Sequence, residues 1–146
     1  KILEDVDTDI MISENTIKVY PSEVSLLLRD INLGVNFLLN IRRISRCCDF
    51  EICGIIAKNK QYFLQNWADD KLNFFKIQPS RYFSFFSEIS RVFHSHVYGP
   101  AVLSSVDLDY AADSLLPQVI YSRKNDDFLF YNPNNEKQFI FSLKGV

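Results

Sequence analysis

Histidine and cysteine are both scarce in this chain: its 146 residues include two histidines and three cysteines. Cys47, Cys48 and Cys53 cannot all pair with one another, and the adjacent Cys47 and Cys48 are poorly placed for an unstrained bridge. Reduced thiols in a reducing compartment are the simpler reading. No Cys-x-x-Cys occurs, and three cysteines are too few for a structural zinc site with four cysteine ligands. No apolar run approaches the roughly 20 residues that span a bilayer, so a membrane is not an expected partner. Positive charge is not in excess either: the net charge is −2, and Lys and Arg are scattered. Without a basic stripe to neutralise phosphates, nucleic acid is not an expected partner. The start, Lys1 to Asp7, is acidic and lacks the basic-then-apolar layout of a signal peptide. A cytoplasmic protein is expected. The absence of an initiator Met suggests a chain that begins after a tag, a cleavage or a disordered start.

The length suits one ordinary domain with a single continuous core, and 13 Phe with 7 Tyr make that core aromatic. Residues 1–14 carry five acidic side chains and no clear period, the pattern of a loosely ordered lead-in. The domain is expected over residues 15–146. Thr16 to Tyr20 alternates like a half-buried strand. Apolar residues three and four apart predict a helix from about Ser22 to about Arg43, with Gly34 a weak point within it. Residues 50–57 and 61–65 read as a hairpin around Lys58-Asn59-Lys60. Pro79-Ser80-Arg81 opens a second helix through about Glu88, followed by a short strand over 91–96. Ser104-x-x-Asp107 has the form of a capped helix that stops before Pro117. Residues 118–122, 127–131 and 138–142 read as three closing strands. The order of elements predicts a mixed α/β domain with a central sheet flanked by helices.

Both histidines fall in one tripeptide, His94-Ser95-His96. Residues i and i+2 of a strand project from the same face, so two imidazoles can reach one point. Asp107, at the start of the next helix, can return across residues 97–103 as a third, anionic ligand. Two His, one carboxylate and an open fourth position form the ligand set of a catalytic zinc site. Ser104, three residues before Asp107, shares its side of a helical turn and can reach an oxyanion formed beside the metal. Such a site needs a base to take the proton of the attacking water and hand it to the leaving amine. Glu51 and Glu88 are both candidates. Glu51 is the better one, because it opens an apolar stretch where a lone carboxylate costs free energy unless paired or used. Each signal also has an ordinary reading: His-x-His as two surface polar residues, Ser-x-x-Asp as a capping box, Glu51 as the partner of an Arg or a backbone group. Their coincidence in one chain favours the site. Cys53 reads as a small buried apolar residue, Trp67 as core or rim packing, and Asp109 with Asp113 as a solvated helix face.

The spacing His-x-His, seven residues, Ser-x-x-Asp resembles the signature of the JAMM or MPN family of zinc-dependent isopeptidases, with Glu51-Ile52-Cys53-Gly54-Ile55-Ile56 similar to its glutamate segment. Weaker similarity runs through Asn66 to Asp69 and Phe75 to Pro79, in the manner of prokaryotic and phage-tail members, and the whole covers about residues 15–131. The resemblance implies an α+β, cytidine-deaminase-like MPN fold with one catalytic zinc ion on His94, His96 and Asp107. It also implies Glu51 as general acid/base and Ser104 holding the tetrahedral intermediate. The implied activity is cleavage of a peptide or isopeptide bond at the C-terminus of a ubiquitin-like or sulfur-carrier protein, in the cytoplasm or, for a phage member, with the virion. Val97 and Leu103 stand where the family usually has Pro, which implies a reshaped loop beside a retained site. The short 97–103 loop and the lack of Cys after Cys53 suit a minimal bacterial, archaeal or viral enzyme. A phage tail-assembly protease of the same fold is one alternative. A catalytically silent scaffold is another, disfavoured because every ligand is kept.

Overall fold

A seven-stranded mixed sheet follows from the alternating apolar segments. The computed structural model describes residues 16–19, 28–29 and 33–143, and of residues 16–19, 81, 83, 84 and 86 the backbone alone. The strands are β1 (Thr16–Val19), β2 (Cys53–Ala57), β3 (Lys60–Leu64), β4 (Ile89–His96), β5 (Gln118–Ser122), β6 (Asp127–Asn132) and β7 (Lys137–Phe141). Their order across the sheet is β1-β7-β6-β5-β4-β2-β3. Pairing is antiparallel except for β1 with β7 and β4 with β5. Among the described residues the sheet is accompanied by α1 (Val35–Arg46), α2 (Pro79–Phe85, continued by a short 3-10 turn over Phe86–Glu88) and α3 (Ser105–Ser114), and residues 28–29 are also helical. The chain is thus a single mixed α/β domain. The expected lead-in over residues 1–14 and the Tyr20 end of the first strand lie outside the described residues.

The two faces of the sheet are covered by different helices. Leu38 and Ile41 of α1 pack with Ile52, Ile56, Phe93, Val119, Tyr121 and Phe128. On the opposite face Ala111 of α3 meets Ile120, Leu129 and Tyr131, while Tyr82 and Phe85 of α2 pack against Ile55 and Val92. The period of two along β4 therefore sends Phe93 toward α1 and leaves Val92, His94 and His96 on the side of α2 and α3.

Two boundaries differ from those predicted. The helix expected over residues 22–43 does not run through Gly34, whose extended backbone (φ −73°, ψ 139°) stands as the N-cap of α1, and α1 continues to Arg46. Arg43 and Arg46 in its last turn favour that extension by meeting the negative end of the helix dipole. The second strand begins at Cys53 and not at residue 50, because the Glu51 amide donates to the Lys71 carbonyl in the following loop (3.1 Å). The hairpin turn is as expected: Lys58 and Asn59 both take positive φ (50° and 62°), the backbone of a tight two-residue turn.

Gly54 is required by close approach. In the sheet it stands opposite Phe93 on one side and Phe63 on the other, and a Cβ there would collide with the Tyr62 carbonyl and the Phe93 ring. Without that Cβ the Phe93 ring can lie over β2, edge-on to Phe63 at 5.0 Å between centroids.

Candidate metal centre

His94 and His96 lie at the C-terminal end of β4, an inner strand bounded by β2 and β5. Both are buried. Their Nε2 atoms are 3.1 Å apart. The loop after β4 leads into α3, where Ser104 is the N-cap and Asp107 occupies the first turn. There the positive end of the helix dipole favours a carboxylate. The Ser104 and Asp107 side chains form a reciprocal capping box: the Asp107 amide donates to Ser104 Oγ (2.9 Å), and the Ser104 amide donates to Asp107 Oδ2 (3.2 Å). So locked, Asp107 directs Oδ1 to within 3.4 Å of His94 Nε2 and Oδ2 to within 3.8 Å of His96 Nε2.

Glu51 joins the same place from the segment just before β2. It is 2% exposed, and one of its carboxylate oxygens and one nitrogen of each histidine all lie within 4.8 Å of one another. This buried group of two imidazoles and a carboxylate can hold a metal ion. Tetrahedral coordination with metal–ligand distances near 2.1 Å separates ligand atoms by about 3.4 Å. The distances of 3.1, 3.4 and 3.8 Å among His94, His96 and Asp107 bracket that value. A cation there would also offset the charge of carboxylates buried with little solvent. The donor set therefore fits the ion that the sequence implies.

Glu88, the other base candidate, is not part of the group. It pairs with Lys58 (2.7 Å) at the opposite end of β4, six residues and so roughly 20 Å from His94.

The electrostatics favour ligation. His96 Nδ1 donates to the Pro100 carbonyl (2.7 Å), which fixes the tautomer and leaves Nε2 as a lone pair facing the centre. Burial, reinforced by His94, pushes His96 down to about 4, with Asp107 and the Pro100 carbonyl opposing. The ring is thus neutral at physiological pH. Burial alone would raise the Asp107 carboxyl, but the charge and hydrogen bond of His94, then His96 and the Ser104 amide, hold it below its ordinary value. The His94 ring stacks on Phe75 (4.6 Å between centroids, 21° between planes), while its Nδ1 has no hydrogen-bond partner among the described residues.

Two positioning residues escape a reading of the sequence. Ser95, between the histidines, accepts the Ile52 amide at its Oγ (3.0 Å) and donates its own amide to the Ile52 carbonyl (3.0 Å), fastening the chain next to Glu51 onto β4. Asn66 is fully buried; its Nδ2 donates to the carbonyls of Glu51 (3.2 Å) and Phe74 (2.9 Å), and its Oδ1 accepts the Ala68 and Lys76 amides. A polar residue directly after an apolar strand was the available signal for Asn66. Nothing local marked Ser95.

The 97–103 loop is anchored and not open: Val97, Ala101 and Leu103 are buried, and Ser122 Oγ donates to the Gly99 carbonyl (2.8 Å). Cys53 is buried on the Glu51 side of β2, and its thiol meets the Leu64 carbonyl (3.7 Å). Trp67 is 49% exposed, a rim position. Asp109 and Asp113 are exposed on α3, as expected.

No protein-family profile and no curated protein matches the chain. Among solved structures, the solution structure of protein DSY2949 from Desulfitobacterium hafniense is similar, with a TM-score of 0.50 and 17% sequence identity over 86% of this chain and 92% of that one. At that identity the likeness concerns the fold alone. No helix among the described residues is long and apolar enough to cross a membrane.

Proposed function

We propose that this chain is a zinc-dependent hydrolase of peptide or isopeptide bonds, with the MPN fold implied by its sequence signature. The observation that carries the reading is the convergence of His94 Nε2, His96 Nε2 and the Asp107 carboxylate at 3.1 to 3.8 Å, with Glu51 buried beside them. Two imidazoles with one carboxylate suit zinc better than the all-oxygen sites of calcium or magnesium. When bound, zinc supplies Lewis acidity, acidifying water and favouring negative charge on a carbonyl oxygen.

The chain's own groups do the rest. Glu51 takes the proton from the attacking water and returns it to the departing amine, which leaves neutral as the amide bond breaks. Ser104 Oγ already accepts the Asp107 amide, so its own hydrogen is available to the carbonyl oxygen that becomes negative. His96 is turned by the Pro100 carbonyl and His94 is held flat against Phe75, so both rings are oriented as ligands. The substrate class follows from the resemblance: the C-terminal region of a ubiquitin-like or sulfur-carrier protein, met in the cytoplasm or, for a phage-encoded chain, in tail assembly.

The test is hydrolysis of ubiquitin-like and sulfur-carrier fusions by the zinc-loaded chain. Cleavage that a chelator stops and added zinc restores supports the reading. Absence of cleavage across the panel, with zinc bound, contradicts it.

A further inference from the structure

The candidate centre continues sideways into an apolar pocket. A cavity of about 290 Å³ lies between α3 and the segment that enters α2, walled by Phe75, Ile77, Pro79, Tyr82, Val106 and Tyr110. Two residues belong to both places. Asp107 lines the pocket while its oxygens face the histidines, and Phe75 lines it while its ring stacks on His94. The periodicity of α3 makes this continuity, since Asp107 and Val106 stand three and four residues before Tyr110 and so lie beside it on the helix surface. Besides Asp107, the charged residue on the wall is a cation, Lys76.

We propose that this pocket receives one large apolar side chain, aromatic or branched aliphatic, carried by a residue flanking the bond that the centre cleaves. The proposal rests on the hydrolase reading and adds a substrate requirement to it. A cavity of this volume lies at the small end of ligand sites, the scale of a side chain and not of a folded partner. Its rings and aliphatic groups gain from contact with an apolar occupant and gain nothing from glycine. Lys76 repels a basic side chain. An occupant seated there has its backbone beside Asp107, next to the reacting position. A tail that ends in glycine leaves the pocket to the residue across the scissile bond.

Quenched peptides with Phe, Leu, Gly or Lys beside the cleaved bond test the requirement. The zinc-loaded chain should cleave the Phe and Leu peptides with kcat/KM about 10-fold or more above the Gly and Lys peptides, the scale of discrimination by an apolar pocket. Val106 sits on the rim, 57% exposed, and is no part of the metal or proton-transfer machinery. Val106→Trp should fill the cavity and remove the preference, bringing the Phe peptide down to the level of the Gly peptide. Equal rates for all peptides, or a preference untouched by Val106→Trp, overturn the proposal. If no peptide is cleaved, binding decides: N-acetylphenylalaninamide and N-acetylglycinamide at millimolar concentration are titrated onto metal-free chain, observed through the methyl NMR signals of Val106 and Ile77. Shifts with the Phe probe alone keep the pocket and discard the hydrolase reading. No shift with either probe discards the pocket as well.

Discussion

His94 and His96 bring their Nε2 atoms to 3.1 Å from each other. Neutral imidazoles that present lone pairs at this distance repel unless a proton or a cation lies between them, and the His96 tautomer is set by the Pro100 carbonyl. Asp107, locked by the capping box, adds negative charge at the same point. A cation satisfies all three groups together.

Glu51→Gln separates the base from the ligands. The amide keeps the size of the side chain but cannot take a proton, so hydrolysis should fall by about 10²- to 10⁴-fold. Zinc content should remain that of the wild type. The comparison needs kcat/KM and elemental analysis on the same preparations; full activity with metal retained would assign the proton transfer elsewhere.

Without metal, stability should decline in acid. His96 has a folded pKa of about 4 against an ordinary 6.5, so folding favours its neutral ring. That contribution is complete above pH 6.5 and is lost as pH falls toward 4, up to about 3 kcal/mol in total. Asp107, held below its ordinary value, adds a loss of the same sign at lower pH. Urea unfolding in the presence of chelator at pH 7 and pH 4.5 measures the effect, and His96→Gln should flatten the dependence over this window.

Gly54→Ala should destabilise the chain by about 1–3 kcal/mol or more, because the added methyl meets the Tyr62 carbonyl, which belongs to the backbone of β3 and cannot swing aside. Since β2 and β4 pair through Gly54 and Phe93, metal affinity should fall with stability. Thermal unfolding with and without zinc checks both.

The Asp126 carboxylate ties α1 to the turn after β5. Arg42 grips it with two hydrogen bonds of 2.9 Å, Arg46 approaches to 3.0 Å, and the Tyr121 hydroxyl donates to it at 2.8 Å. Burial would raise this carboxyl, yet Arg42 and Tyr121 hold it below its ordinary value. Asp126→Asn keeps a side chain that tolerates the positive φ of 56° and removes the charge. The expected loss is about 1–2 kcal/mol in chemical denaturation at pH 7, since charge-assisted bonds are lost on a partly exposed pair.

What the sequence revealed depended on how local each feature was. The hairpin at Lys58-Asn59 and the cap of α3 are written in adjacent residues, and the pairing of His94 with His96 follows from the period of a strand. The interruption at Gly34 was harder to read, because the apolar period is the same on both sides of it. The start of β2 was missed because the Glu51 amide is taken by Lys71, twenty residues on. Ser95 acts through a chain segment that folding brings beside it, so its type carried no message of its own, and Asn66 shows in the sequence only as a polar residue after an apolar stretch, its partners Glu51 and Lys76 being distant along the chain. The choice between Glu51 and Glu88 likewise needed the sheet, which places them at opposite ends of β4.

The central claim is that His94, His96 and Asp107 form one metal site. Zinc per chain, measured by elemental analysis after loading and exhaustive dialysis, tests it most directly in the wild type and in His94→Ala, His96→Ala and Asp107→Ala, each checked for folding by circular dichroism. The account predicts close to one zinc in the wild type and none in any folded variant. A wild-type chain that holds no zinc, or variants that hold as much as the wild type, would contradict it.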